Sequence, residues 1–598
     1  MSNSVGGPAA PHPDHAAEQA YVRRARHVLD RMVARSRRAV EFGEQRVRDE
    51  QSVDARIAHA HLVDRRAAVD VGAVTLCFGR IDEDPTIGDG DRWYVGRRHI
   101  EDDDGTPVVV DWRAPVAVPF YRATAADPFG LVLRRRFSCE VDEILAIFDE
   151  ALDDPESLAA AGIPDPVLAE IERSRSGEMA DIVATIAAEQ DEIIRSPIGD
   201  CLLVQGGPGT GKTAVGLHRA AFLLFEHRAS LARSHVLVIG PNKVFLSYVA
   251  AVLPSLGETA VTQATLTSLL SARVRVRATE APEIAEVKGR GEMAEILRRL
   301  AEGRLRAPSE TVVVPAGVRS LRFPPALVDD AISRAGAGGL PLNEAKQVFV
   351  EVLLREARGQ LIDRGTAQED LARLVPEVRR SPAFRRMVDK AWPSLSGPQL
   401  VRSLLAGSAN RRRAAAGLLD DEALALLHRP SAAKVAEEPW TEADLALIDE
   451  ANALISGITR QYGHVVVDEA QDLSTMGLRA VGRRAIDGSM TILGDIAQAT
   501  GVGAQPSWDA VASGLGLAPE SLRRSELTVG YRVPGPILDY ANRLLPRTAP
   551  DITPSTSIRT RGAGPEHHVL DPGAPRKWSR GRSPGWSVSS RRTGRPSA

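Results

Sequence analysis

A glycine-rich loop that ends in Lys212 and Thr213 carries the most specific chemistry in this sequence. Its spacing fits G-x-x-x-x-G-K-[ST], and it lies between an apolar run at 202–204 and a segment with helical character at 214–225. In such a loop, backbone N–H groups face phosphate oxygens, the lysine neutralises the β- and γ-phosphates, and the hydroxyl ligates Mg²⁺. The alternative is a chance glycine turn. The residues that we expect to hold a nucleoside triphosphate are Gly206, Gly207, Pro208, Gly209, Thr210, Gly211, Lys212 and Thr213.

Two carboxylates follow another apolar run, at residues 462–467, and begin the string DEAQD at 468–472. Carboxylates just past a strand lie at the C-terminal edge of a sheet, where open α/β folds bind nucleotides. Asp468 is placed to hold Mg²⁺, and Glu469 is placed to orient and deprotonate an attacking water. The alternative is an acidic helix N-cap.

Four more side chains have the chemistry that a nucleotide site needs. Gln190 precedes the first apolar run by about a dozen residues, and its amide has both a donor and an acceptor for the edge of an adenine. Gln498 follows the strand predicted at 490–493 and can hydrogen-bond a γ-phosphate. Arg532 can reach the γ-phosphate as an arginine finger, and Tyr531 can stack on the base.

The elements that must position these residues indicate an α/β fold. Continuous apolar runs, such as 235–240, are typical of parallel strands covered on both faces. Residues 151–270 would be a helical lead-in and the first part of one lobe, and residues 451–530 would be its second part. A mostly helical domain at 271–450 would be inserted between them. Residues 531–570 would begin a second lobe. Arginine-rich segments of the insertion would either meet nucleic acid or be solvated helix faces.

The N-terminal third has a different pattern. Residues 1–13 are predicted to be disordered, and 14–70 to form two long helices of a coiled-coil arm, with its tip near 43–51. The arm is either a packing element or a functional probe. Residues 71–150 would form a small β-rich domain with strands at 71–78, 93–100 and 106–112.

Within that domain, Asp111 and Arg113 are predicted to pair across a turn that Trp112 anchors in the core, with a catalytic role for Asp111 as the alternative. Residues 141–161 and 166–190 are helical by pattern. The last residues, 571–598, contain several arginines and Asp571 as their last acidic residue. They would be either a disordered end or a nucleic-acid-binding tail.

Composition excludes some classes of protein. Among the 598 residues, 43% are hydrophobic and 26% are charged, which is ordinary for a globular protein. No apolar run approaches the ~18–20 residues of a membrane span, and the N-terminus lacks the pattern of a secretory signal. Cys77, Cys139 and Cys201 are far apart, so we expect a cytoplasmic protein without disulfides or structural zinc. Because the net charge of the chain is −3, binding of DNA would need a local patch of positive charge.

The motifs, taken in order, resemble those of UvrD/Rep-type superfamily-1 helicases. Gln190 matches the Q motif, and 206–213, 468–472, 494–498 and 531–532 match motifs I to IV. Residues 94–100 (YVGRRHI), 111–115 (DWRAP) and 120–124 (FYRAT) make the chain similar to the HelD-like ATPases that associate with bacterial RNA polymerase. The resemblance covers roughly residues 15–570.

This resemblance implies a P-loop NTPase of RecA-like fold that uses ATP and Mg²⁺. In the family, the arm and the inserted domain enter the channels of RNA polymerase, open its clamp and release nucleic acid. The chain lacks motifs V and VI, so we expect a truncated second lobe, slow turnover and an exposed apolar patch that lowers solubility. Two rival functions are a 3′–5′ DNA helicase or translocase in DNA repair, and an ATP-binding fragment without turnover.

Overall fold

The computed structural model of the protein shows a mixed α/β architecture. The residues that it describes are 12–50, 75–124, 126–152, 186–199, 201–255, 261–271, 274–407, 409–458, 460–560, 562, 564 and 565. The predictions for residues 1–11, for the second helix of the arm, for 153–185 and for the basic tail fall outside these residues.

The helices are α1 (His15–Glu50), α2 (Val118–Arg122), α3 (Ala188–Ile194), α4 (Lys212–Glu226), α5 (Arg228–Ser234), α6 (Lys243–Ser255), α7 (Leu266–Leu270), α8 (Pro282–Gly289), α9 (Glu292–Glu302), α10 (Pro325–Gly336), α11 (Leu342–Asp363), α12 (Gln368–Arg380), α13 (Pro382–Ala391), α14 (Gly397–Leu405), α15 (Ala409–Ala415), α16 (Asp421–Leu426), α17 (Glu442–Ser456), α18 (Thr475–Gly482), α19 (Trp508–Leu515), α20 (Gly535–Asn542) and α21 (Leu545–Thr548). The strands are β1 (Cys77–Glu83), β2 (Arg92–Gly96), β3 (Ile100–Glu101), β4 (Pro107–Asp111), β5 (Leu131–Glu140), β6 (Glu143–Ala151), β7 (Cys201–Gly206), β8 (Val236–Gly240), β9 (Val261–Thr265), β10 (Val312–Ala316), β11 (Arg319–Phe323), β12 (His464–Val467), β13 (Met490–Gly494), β14 (Leu522–Leu527), β15 (Val529–Gly530) and β16 (Thr556–Ser557).

The N-terminal region joins α1 to a six-stranded sheet of order β3-β4-β2-β1-β5-β6, which is antiparallel except between β2 and β4. Val22, Ala25 and Leu29 recur at helical spacing on α1 and are buried against this sheet. Near its start, Glu18 is 2% exposed and accepts hydrogen bonds from Arg80, Arg135 and the Tyr94 hydroxyl. The first half of α1 is therefore fixed to the sheet by both apolar packing and buried ion pairs.

A second six-stranded sheet, of order β14-β7-β13-β12-β8-β9, is parallel between all neighbours. Leu202 and Val204 of β7 belong to a core shared with α4. Leu203 belongs to a core on the opposite face, where α18 and α19 pack. Both faces are covered, which explains why these strands read as continuous apolar runs.

Between β9 and β12 the described chain is mostly helical, and it includes one antiparallel hairpin, β10–β11. One core gathers the hairpin with α10 to α13, and a second gathers α8, α9, α14 and α17. After β14, the short strands β15 and β16 pair in parallel on either side of α20 and α21. The stretch between β9 and β12 is mostly helical, and its assignment to an inserted domain at 271–450 stays a prediction.

Several predicted elements are wrong in type or extent. The helix predicted at 141–161 is replaced over residues 143–151 by β6, which pairs antiparallel with β5. Arg135 of β5 binds Asp149 of β6 at 2.6 Å, so cross-strand pairing overrides the helix-forming Glu, Leu and Ala residues of this segment. Strand β5 is not among the strands predicted above. The strand predicted at 71–78 is found at Cys77–Glu83, and the one at 93–100 is divided between β2 and β3.

Among the described helices, none combines the length and the apolar character that crossing a bilayer requires.

Candidate functional site

The glycine-rich loop connects the end of β7 to the start of α4. Gly209 and Gly211 have φ angles of 77° and 89°, a left-handed backbone conformation that residues with a Cβ rarely adopt. At Gly207, a Cβ would lie 2.5 Å from the Ser555 hydroxyl oxygen. The glycines are therefore needed for the turn itself and for the close approach of the segment around Ser555.

Lys212 and Thr213 begin α4 beside the end of β12. The Lys212 Nζ donates to the carbonyl oxygens of Gly206 and Gly207, at 2.6 and 3.3 Å. The Thr213 hydroxyl donates to Asp468 Oδ2 at 2.7 Å. Strand β13 lies between β7 and β12, so residues 255 positions apart meet at one edge of the sheet.

Asp468 is 4% exposed, and burial raises its pKa to about 6, against the opposing effect of the Thr213 hydrogen bond. A hydroxyl and a carboxylate are oxygen ligands of the kind that Mg²⁺ prefers. Together with the loop and Lys212, they form a donor set that fits a magnesium-bound triphosphate.

Glu469 belongs to a network of amides and carboxylates at the same edge. Gln471 Nε2 donates to Glu469 Oε2 at 2.9 Å, while Gln471 Oε1 accepts from the backbone N–H of Asp495 at 3.1 Å. The Asp495 carboxylate in turn accepts from Gln205 Nε2 at 2.9 Å and from Gln498 Nε2 at 2.7 Å. The network therefore links the ends of β7, β12 and β13.

Gln205, Gln471 and Asp495 were missed as functional residues by sequence reasoning. Gln471 and Asp495 lie inside the two motifs already singled out, so motif membership was an available signal. Gln205 had no such signal, because it is the penultimate residue of β7 and reads as part of a strand.

Gln190 lies on α3 and is 3% exposed. Its Nε2 donates to the carbonyl oxygen of Thr210 at 3.2 Å, and its Oε1 accepts from the backbone N–H of Ala187 at 3.2 Å. An amide group has two N–H donors and two lone pairs, so these bonds use half of its capacity. The structure thus places Gln190 against the loop, with bonding capacity for a further partner.

Tyr531 and Arg532 also lie against the loop. The backbone N–H of Tyr531 donates to the Gly209 carbonyl oxygen at 3.0 Å, and a Cβ on Gly209 would lie 2.9 Å from Arg532 Cβ. Burial, followed by the nearby charge of Glu189, raises the pKa of Tyr531 to about 12. Glu189 is the neighbour of Gln190 on α3, so Tyr531 lies near the helix that carries Gln190.

The pairing predicted for Asp111 and Arg113 is confirmed. Arg113 donates to both carboxylate oxygens of Asp111, at 2.9 and 2.8 Å, and both side chains are buried. Trp112, which lies between them in the sequence, is fully buried. Arg113 also reaches the Ala221 carbonyl oxygen of α4, at 3.4 Å, so the pair fastens the N-terminal sheet to the helix that follows the loop.

The comparison with known protein families gives a match in the N-terminal part of the chain. Residues 15–161 match the family described as DNA helicase IV HelD, N-terminal domain. The described part of this match contains α1 and the whole six-stranded N-terminal sheet. No curated protein matches the chain. The family match supports a HelD-like protein, related to a helicase.

Proposed function

We propose that this chain is a P-loop ATPase with a RecA-like first lobe, a UvrD-like motor of the HelD type. The observation that carries the proposal is the contact between Thr213 and Asp468 at the end of the parallel sheet, beside Lys212. A glycine loop, a lysine, a hydroxyl and a carboxylate in this order are the parts that P-loop enzymes use to bind a magnesium-bound triphosphate.

In this proposal, Lys212 exchanges its two carbonyl partners for the phosphates of ATP, and Thr213 and Asp468 hold Mg²⁺. The metal would supply charge neutralisation between the phosphates. Glu469 accepts the proton of the attacking water, and Gln471 fixes the orientation of that carboxylate through one oxygen.

The remaining predicted residues have supporting roles in the proposal. Gln498 reports the loss of the γ-phosphate, and its bond to Asp495 connects that signal to the end of β13. Arg532 is the arginine finger, and Tyr531 and Gln190 contact the base.

We further propose that the partner is RNA polymerase, which the chain binds, remodels and recycles in the cytoplasm. The family match at 15–161 supports this, because it is described as HelD and the chain resembles the HelD-like ATPases that associate with RNA polymerase. The way α1 is held also supports it. His15, Gln19 and Arg26 of α1 bind residues 142–144 of the sheet, so the start of the helix is immobilised. Farther along α1, Phe42 is 66% exposed, so an apolar side chain there is accessible to a partner.

ATP turnover measured with RNA polymerase, with single-stranded DNA and with neither tests the proposal. We expect stimulation by RNA polymerase. Stimulation by DNA alone would instead indicate a DNA helicase or translocase, and no turnover under any condition would indicate an ATP-binding protein without hydrolysis. Glu469→Gln should bind ATP and fail to hydrolyse it. Hydrolysis at the wild-type rate by this variant would overturn the role given to Glu469.

A further inference from the structure

A chain of part-buried and buried hydrogen bonds connects the N-terminal sheet to the glycine-rich loop through α3. Its centre is Asp191, which is fully buried. One carboxylate oxygen accepts from Arg195 Nε at 2.8 Å, and the other accepts from Arg122 Nε at 2.6 Å. Arg122 ends α2, so Asp191 already joins two separate parts of the chain.

Arg195 extends this connection to the turn that follows β4. Its two Nη atoms donate to the carbonyl oxygens of Arg113 and Trp112, at 2.8 and 2.7 Å. Its guanidinium also lies 5.3 Å from the centre of the Phe222 ring on α4. The arginine therefore contacts the N-terminal sheet, α3 and α4 at once.

Gln190 is the next residue to Asp191 on α3 and donates to Thr210 in the loop. Helix α3 has only seven residues, so its own backbone hydrogen bonds hold it weakly. Arg219 holds the end of α3 through the carbonyl oxygens of Ile193 and Ile194, and Asp191 holds the middle of the helix beside Gln190. The bonds of Asp191 therefore contribute to the orientation of the Gln190 amide. A buried carboxylate that loses an arginine partner is strongly destabilised, which makes this anchor stiff.

We propose that Asp191 and Arg195 are positioning residues that hold Gln190 for recognition of the adenine base and couple the N-terminal region to that recognition. The proposal rests on the proposed function, and it adds the residues that position the Gln190 amide. Neither side chain touches the nucleotide. A displacement of the N-terminal sheet would reach the base through the carbonyl groups of Trp112 and Arg113, then Arg195, Asp191 and Gln190.

A merely structural role for this pair would change stability without changing base preference. The measurement is therefore the ratio of ATP affinity to GTP affinity, obtained with fluorescent analogues of both nucleotides on the full chain. Gln190→Ala shows how far the ratio of ATP affinity to GTP affinity falls when the amide that contacts the base is removed. The variants that test positioning are Asp191→Asn, which is nearly isosteric, and Arg122→Gln, which removes one partner of Asp191.

Glu450→Gln is the matched control. Glu450 also lies between two arginines, since it accepts from Arg479 at 2.7 and 3.0 Å and from Arg483 at 2.5 Å. Those bonds join α17 to Arg479 of α18 and to Arg483 just after that helix. The variant removes the same type of charge from a similar setting without touching α3.

We expect the wild type to prefer ATP, and Asp191→Asn and Gln190→Ala each to reduce that preference about tenfold, the size of effect that one hydrogen bond carries. The double variant should lose little more than either single variant, and Glu450→Gln should keep the wild-type ratio. If Asp191→Asn does not fold, Arg122→Gln gives the same test, with a smaller loss expected.

Unchanged preference in Asp191→Asn and Arg122→Gln, together with lost preference in Gln190→Ala, would overturn the inference and leave the proposed function intact. A wild type that binds neither nucleotide would overturn the proposed function itself.

Discussion

Replacing Gly209 by alanine tests how the glycine-rich loop and residues 531–533 depend on each other. At a φ of 77°, a residue with a Cβ costs about 1–2 kcal/mol. The new Cβ would also lie 2.9 Å from Arg532 Cβ and 3.3 Å from Val533 Cγ2, and such crowding costs about 1–3 kcal/mol. We therefore expect Gly209→Ala to lower the free energy of unfolding by about 2–5 kcal/mol.

Gly516→Ala separates the two contributions. Gly516 has a φ of 81° and follows α19, which packs on the same parallel sheet, but a Cβ there would have no atom within 4 Å. It should cost only the backbone penalty of about 1–2 kcal/mol. The difference between the two variants measures the contact of the loop with residues 531–533.

Two assays follow both variants. Denaturant unfolding gives the stability change, and titration with a fluorescent ATP analogue gives the affinity. Relief of the crowding would move the loop or residues 531–533, so Gly209→Ala should weaken binding by about tenfold or more, while Gly516→Ala should leave it unchanged. Equal stability losses in the two variants, or unchanged nucleotide affinity in Gly209→Ala, would refute the packing of residues 531–533 on the loop.

Three further predictions concern stability. Burial lowers the pKa of His464 to about 3 and that of His218 to about 4. Below pH 6.5, both histidines therefore bind protons in the unfolded chain while they stay neutral in the folded chain. The free energy of unfolding, measured between pH 8 and 4.5, should fall below pH 6.5, with each histidine contributing a slope that approaches about 1.4 kcal/mol per pH unit. A flat profile would contradict this. Arg113→Met leaves Asp111 buried and unpaired, and should cost about 3–5 kcal/mol in denaturant unfolding; a loss below about 1 kcal/mol would argue against this burial. Glu18→Gln should speed amide hydrogen exchange in the first turns of α1, and wild-type exchange there would mean that the buried ion pairs do not fix the helix.

The contact between Thr213 and Asp468 could be predicted from the sequence because each residue follows an apolar run. Runs of that kind are parallel strands, and the ends of parallel strands meet at one edge of a sheet whatever their separation in the chain. The glycines were predictable for a similar reason, since the turn geometry allows few other residues. Local pattern and a general rule of sheet geometry therefore sufficed for this part of the site.

The bonds of Asp191 and the bond between Gln205 and Asp495 were not predictable in the same way. Gln205 and Asp495 are 290 positions apart, and no periodicity identifies one polar residue of a strand as the partner of another. Strand β6 was predicted as a helix because its Glu, Leu and Ala residues favour that state locally. Its pairing with β5 depends on charges that face each other only in the folded sheet.

The central claim is that ATP and Mg²⁺ bind between Lys212 and the Asp468–Glu469 pair. Calorimetric titration of the full chain with a non-hydrolysable ATP analogue, with and without Mg²⁺, tests it directly. We predict one site per chain that Mg²⁺ strengthens, loss of binding in Lys212→Ala, and loss of the Mg²⁺ dependence in Asp468→Asn. No binding to the wild type, or equal binding to Lys212→Ala, would contradict the claim.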